Sequence, residues 1–167
     1  GENGSFIDIT FPSLLKTVYS LSRAMVDLGL SGKKIAVIGK NSFNWCCTYL
    51  AVTFGVGVIV PIDKELPPDE IANIINISGT CAIFFDDTEE EKLAAAMGEL
   101  PEELILVAFH KQEDEGRYLS YNKLLEAGKA VINSGDDSIK ELPIDNKALS
   151  VLLYTSGTTG IAKGVML

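Results

Sequence analysis

The chain has 167 residues, 47% of them hydrophobic, and 14 Lys and Arg against 23 Asp and Glu give a net charge of −9. That length and apolar content fit one domain with a single sizeable core, and the lack of any Lys/Arg block excludes an extended nucleic-acid surface. An anion such as a nucleotide must be held locally, by backbone N–H groups and single cations, because the overall field does not steer it in.

The chain begins Gly1-Glu2-Asn3-Gly4, with no initiator Met and no charged-then-apolar leader, so it is expected to start inside a longer protein and to carry no signal peptide. Leu14, Val18, Leu21, Met25 and Leu28 recur at steps of four and three, with Lys16, Arg23 and Asp27 on the other side. This spacing predicts an amphipathic helix over residues 14–28, capped by Thr10 or Ser13 and stopped at Gly29. Ile35 to Ile38 reads as a short strand closed by Gly39. No charge occurs from Asn41 to Ile62, which raises the question of a membrane span. Gly55, Gly57 and Pro61 divide the segment, so the preferred parse is Ser42 as N-cap, a buried helix from Phe43 to Phe54 and a strand from Val56 to Val60.

Pro67 and Pro68 open the next predicted helix, with Asp69 and Glu70 complementing its dipole, Ile71, Ile74 and Ile75 on its apolar face, and Gly79 ending it. Cys81 to Phe85 is strand-like. The run Asp86-Asp87-Thr88-Glu89-Glu90-Glu91 follows, and two readings compete: a Mg²⁺ site at a strand end, or an N-cap and first helical turn facing water, which charge runs usually are. Leu93 to Met97 continues that helix, and Leu104 to Ala108 supplies a further strand. Residues 109–119 read as an exposed charged loop. Ser120 caps a helix on which Tyr121, Leu124, Leu125, Gly128, Val131 and Ile132 share a face.

Residues 135–147, rich in Asn, Asp, Gly and Ser and broken by Pro143, divide an α/β scaffold, residues 1–134, from a final segment, residues 148–167. The alternation of strands and helices predicts an α/β layered fold with a mostly parallel sheet flanked by helices.

Cys46, Cys47 and Cys81 lack metal or redox spacing, and their apolar neighbours predict buried thiols in a reducing cytoplasm. His110, the only histidine, lies next to Lys111 and is expected at the surface, leaving no Ser-His-Asp or His-based metal arrangement.

The stretch Tyr154-Thr155-Ser156-Gly157-Thr158-Thr159-Gly160-Ile161-Ala162-Lys163-Gly164 stands apart. Glycines let a backbone turn its N–H groups inward, hydroxyls add donors and Lys163 adds a point charge, which together suit a polyphosphate. A flexible linker is the bland alternative, but the run sits between two apolar strand-like segments, Ala148 to Tyr154 and Val165 to Leu167, whose strand, loop, strand order suggests an antiparallel hairpin. The pattern G-x-x-x-x-G-K-[ST] does not fit either, since Ala162 stands where its second glycine belongs and Gly164 where its Mg²⁺-binding hydroxyl belongs.

That run resembles the signature of the adenylate-forming superfamily: acyl-CoA synthetases, peptide-synthetase adenylation domains and luciferases. Ala162 departs from the usual proline. Residues 14–29, 35–42, 57–63 and 67–86 resemble, less specifically, the N-terminal region of acyl-CoA synthetases. The resemblance implies that Thr155, Ser156, Gly157, Thr158, Thr159, Gly160 and Lys163 hold the β and γ phosphates of ATP. It further implies a parent enzyme that uses ATP and Mg²⁺ to activate a small carboxylic acid and passes the acyl group to a thiol, coenzyme A in the first instance. The family's remaining catalytic groups lie downstream of the signature, so the chain is expected to be an inactive N-terminal part of such a ligase. A non-catalytic nucleotide-binding or interaction module is the alternative. The sequence leaves the acid and the oligomeric state open.

Overall fold

The computed structural model describes residues 8–142, 145, 147–155 and 163–167. Pro143, Ile144 and Asn146, and the signature residues 156–162, lie outside the described residues.

Helix α1, Phe11–Asp27, starts where Thr10, in extended conformation, accepts a hydrogen bond from Ser13 N, and Pro12 in its first turn lacks the N–H that would have no helical partner there. Gly29, at φ 74°, turns the chain into β1, Lys34–Ile38. Ser42 caps α2, Phe43–Ala51, through Trp45 N. The expected helix end at Phe54 is replaced by a wide turn over Val52–Val56, in which Gly57 N bonds back to Val52 O at 3.1 Å. Gly55 takes φ 108° there, a conformation other residues resist. That turn consumes Val56, so β2 runs from Val58 to Ile62, two residues later than the apolar run suggested.

Helix α3, Pro68–Ser78, carries Asp69 and Glu70 in its first turn and ends at Gly79 in the left-handed conformation. Strand β3 is Thr80–Phe85, α4 Glu90–Ala95 and β4 Ile105–Ala108. The region expected to be only an exposed loop also contains a strand, β5, Tyr118–Ser120, pairing in parallel with β4 through Leu106–Tyr118, Val107–Leu119 and Ala108–Ser120. Ser120 then caps α5, Tyr121–Asn133. A short helical turn, Ser138–Glu141, lies in the segment expected as a linker, and its Ile139 is buried. Strands β6, Leu152–Thr155, and β7, Lys163–Met166, form the antiparallel hairpin.

The main sheet is parallel throughout, in the order β2-β1-β3-β4-β5. Side-chain alternation along each strand feeds two cores. Ala36, Ile38, Val60, Ile62, Ile83 and Phe85 meet α3 and α4 on one face. Ile35, Val37, Ile59, Ala82 and Phe84 meet α1, α2 and α5 on the other. This is the α/β layered architecture expected from the alternation of elements.

Candidate functional site: the carboxyl edge of the sheet

In an open parallel sheet with this strand order, β1 and β3 leave the sheet in opposite directions, and a crevice opens beyond their carboxyl ends. Here that position is closed by one side chain. Asp86, directly after β3 and nearly buried, accepts from Lys40 N at 2.6 Å, from Thr88 N at 3.0 Å and from Thr88 Oγ1 at 2.6 Å. Gly39 makes this possible: at φ 136°, a Cβ on it would lie 2.6 Å from Asp86 Oδ2. The carboxylate thus ties the exit of β1 to the exit of β3. The rest of the acidic run continues this architecture. Buried Glu89 lies with Oε1 2.9 Å from the same Thr88 hydroxyl, whose single proton goes to Asp86 at the shorter distance, and pairs with Lys92 at 3.1 Å, while Lys92 also reaches Lys64 O. Among the described residues no group of three or more His, Cys, Asp or Glu could hold a metal ion. Asp86 caps the turn that follows, accepting from Thr88 N as the helix-cap reading expected, but Asp86 and Glu89 are buried where that reading had the run facing water.

Beyond β4, His110 is half-buried rather than at the surface. Its Nε2 lies 2.6 Å from Glu90 Oε2, and Lys111 reaches Glu90 at 3.1 Å and Glu115 at 2.9 Å. Although burial alone would raise the Glu90 carboxyl, hydrogen bonds from Lys111 and His110 hold it below the usual carboxylate range. The cysteines also depart from expectation: only Cys47 is buried, Cys81 is half-buried and Cys46 is exposed. Burial, and then the neighbouring Cys46, push the Cys47 thiol up to about 11.

The hairpin borders the same edge. Val151 bridges Ile59 of β2 in parallel orientation, and Ile59 N donates to Ser150 O at 3.0 Å. Leu152 is buried, and Tyr154 packs against the core shared with α3 and α4. Because β6 runs parallel to β2, its carboxyl end at Thr155 faces the same edge as the ends of β1 to β4. The backbones of Thr155 and Lys163 are paired across the hairpin, as are those of Tyr154 and Gly164. Of the expected phosphate-binding residues, Thr155 and Lys163 bracket the loop, and Ser156, Gly157, Thr158, Thr159 and Gly160 lie outside the described residues. The sequence reading missed Asp86, Gly39 and Lys40 as a unit. Its only signal was that a glycine and an aspartate each directly follow a predicted strand.

A doubly wound parallel sheet with a strand-loop-strand insert at its carboxyl edge defines the class. The chain belongs to the AMP-binding enzyme family, which matches residues 3–167. It is 30% identical over 168 residues to 4-hydroxybutyrate–CoA ligase 2 of Metallosphaera sedula, covering 94% of this chain and 29% of that protein. It is 28% identical to a long-chain-fatty-acid–CoA ligase of Thermus thermophilus, covering 94% of this chain and 27% of that one. The chain thus spans less than a third of the length of these relatives. The fold matches the crystal structure of Brucella canis acyl-CoA synthetase with a TM-score of 0.78 at 18% identity, over 100% of this chain and 29% of that chain. Among the described residues no helix is long and apolar enough to cross a membrane.

Proposed function

We propose that this chain is the N-terminal part of an ATP-dependent ligase that joins a carboxylic acid to AMP and then transfers the acyl group to a thiol, with coenzyme A as the favoured acceptor. The observation that carries the reading is the run from Tyr154 to Gly164 in a family member whose relatives include two acid–CoA ligases. ATP, when bound, supplies the adenylyl group and pyrophosphate as leaving group. The tasks of this chain are binding and charge compensation. Backbone N–H groups of Gly157 and Gly160 and hydroxyls of Thr155, Ser156, Thr158 and Thr159 would donate to phosphate oxygens. Lys163 Nζ would offset the charge that grows on pyrophosphate as it departs. Among the described residues no cluster of carboxylates offers a ligand set for Mg²⁺.

Fatty acids are the favoured substrate class and the cytoplasm the favoured compartment, the first on the Thermus relative. Residues 1–167 alone should bind ATP weakly and catalyse nothing, because the acid and the α-phosphate need positioning groups from elsewhere in the parent. The test is acid-dependent exchange of pyrophosphate into ATP, by the full-length parent and by this chain, with a panel of carboxylic acids. Exchange by the parent alone supports the reading and names the acid. A parent that binds ATP yet exchanges with no acid would favour a non-catalytic nucleotide-binding module.

A further inference from the structure

The segment from Ser134 to Leu142, expected as a linker, is docked. Helix α5 follows β5 at one edge of the main sheet and β6 lies against β2 at the other, so the chain must cross back between them. It crosses on α1. Ile139 is buried, the turn Ser138–Glu141 packs on α1, and Leu142 lies against the core that α1, α2 and α5 share. Arg23, on the polar side of α1, places Nε 3.4 Å from Asp136 Oδ2, while Asp136 Oδ1 accepts from Ser138 N at 2.8 Å. The hairpin that follows has much less to hold it. Among the described residues its backbone meets the main sheet at one isolated bridge, Val151 with Ile59, whereas every strand pair within that sheet runs over three residues or more. Buried Leu152 and half-buried Tyr154 add side-chain contact.

We propose that residues 134–142 are a tether, pinned on α1 by Ile139 and the Arg23–Asp136 pair, which keeps the β6–β7 hairpin docked on β2 and so holds the phosphate-binding loop at the carboxyl edge. The tether stands on geometry, and its link to ATP rests on the ligase reading. Ile139 is the main pin, because a partly exposed ion pair contributes little. Pinned, the segment leaves seven residues, 143–149, between Leu142 and Ser150; released, it leaves sixteen, 134–149, between α5 and Ser150. Loop-closure entropy grows with the logarithm of loop length, so release raises the undocked population of the hairpin by about 3–4-fold.

The experiment follows amide hydrogen exchange at Ile59, whose N–H donates to Ser150 O and loses that acceptor when the hairpin undocks. Ile83, in the central strand β3, is the reference. In this chain Ile59 should exchange faster than Ile83, because the hairpin opens without the sheet. Ile139→Ser should quicken Ile59 about 3–4-fold, and Ile139→Val should restore the original rate. Asp136→Asn, at a pair too exposed to decide folding, should quicken Ile59 less and in the same direction. In the full-length parent, ATP at about 100 times its Kd should slow exchange of the peptide containing Ile59 on the order of 100-fold, because ATP held by the loop favours the docked hairpin.

Ile59 exchange untouched by Ile139→Ser and Asp136→Asn overturns the tether. So does a common rate for Ile59 and Ile83, which would mean that the hairpin opens only with the whole sheet. ATP that binds the parent and leaves Ile59 exchange unchanged overturns the link between docking and phosphate. A parent that binds no ATP removes the ligase reading, while the Ile59 rates in this chain still decide the tether.

Discussion

Replacing Asp86 by asparagine separates a structural tie from a metal site. The carboxylate accepts three hydrogen bonds, from Lys40 N, Thr88 N and Thr88 Oγ1. An amide of the same shape keeps one acceptor oxygen and turns its NH₂ towards a donor. Bonds to Oδ1 and Oδ2 differ in number, so the better orientation of the introduced amide leaves the oxygen on the Thr88 pair and sets the NH₂ against Lys40 N. One hydrogen bond to a charged acceptor is lost, at about 1.5–3 kcal/mol, and a nearly buried donor is left facing another donor. The expected loss is therefore about 2–3 kcal/mol, or roughly 4–12 °C in Tm for a domain of this size. Urea denaturation should show a lower midpoint at unchanged slope. Glu91→Gln, at an exposed position of the same run, should change stability by no more than about 0.5 kcal/mol. Millimolar Mg²⁺ should not raise the midpoint of the unsubstituted chain through these residues. An Asp86→Asn protein as stable as the original, or a Mg²⁺-dependent gain abolished equally by Asp86→Asn and Glu91→Gln, would refute the reasoning.

Other perturbations follow from equally local geometry. A Cβ at Gly128 of α5 would lie 1.9 Å from Ser20 O of α1. Gly128→Ala should therefore destabilise by about 1–3 kcal/mol by forcing the helices apart, despite the roughly 1 kcal/mol that alanine gains in a helix; a more stable variant in urea would contradict that packing. Glu90 has its pKa lowered on folding, so its contribution is fully present above the ordinary value of 4.5 and is lost as pH falls through the depressed value. Glu90→Gln should flatten the fall of thermal stability below about pH 4.5 relative to the original chain. Cys47, buried and with its thiol pushed up to about 11, should remain unmodified by a thiol reagent at neutral pH until urea unfolds the chain; labelling in native buffer would contradict its burial.

The elements legible in the sequence were those whose signals are local. Thr10, Ser42 and Ser120 sit where helix caps are needed, and each accepts the backbone hydrogen bond expected of it. The apolar runs marked β1, β3 and β4 because strands buried on both faces have no polar alternation to hide them. Strand β5 escaped because three residues, Tyr118-Leu119-Ser120, carry no periodicity and become a strand only by pairing with β4. The start of β2 was misplaced because Val56 is as apolar in a turn as in a strand, and only the backbone bond from Gly57 to Val52 decides between them.

The site was legible in composition and not in assembly. Asp86 and Lys40 are far apart in sequence and meet only because β1 and β3 are neighbours in the sheet. His110 and Glu90 are brought together in the same way, from β4 and α4. Apolar neighbours in sequence said nothing of which side of α2 faces the core, so Cys46 and Cys47 were read alike although one is exposed and the other buried. The antiparallel pairing of Tyr154 with Gly164 was anticipated from two apolar runs flanking a glycine-rich loop.

The central claim is that the loop between β6 and β7 compensates phosphate charge during adenylation, and its most direct test is Lys163→Ala in the full-length parent, assayed by acid-dependent pyrophosphate exchange. Under that claim, removing the lysine's charge predicts a fall in exchange on the order of 10²–10³-fold with an unchanged urea midpoint. Exchange at the original rate would contradict the claim, since a lysine beside the departing pyrophosphate could not then be removed without cost.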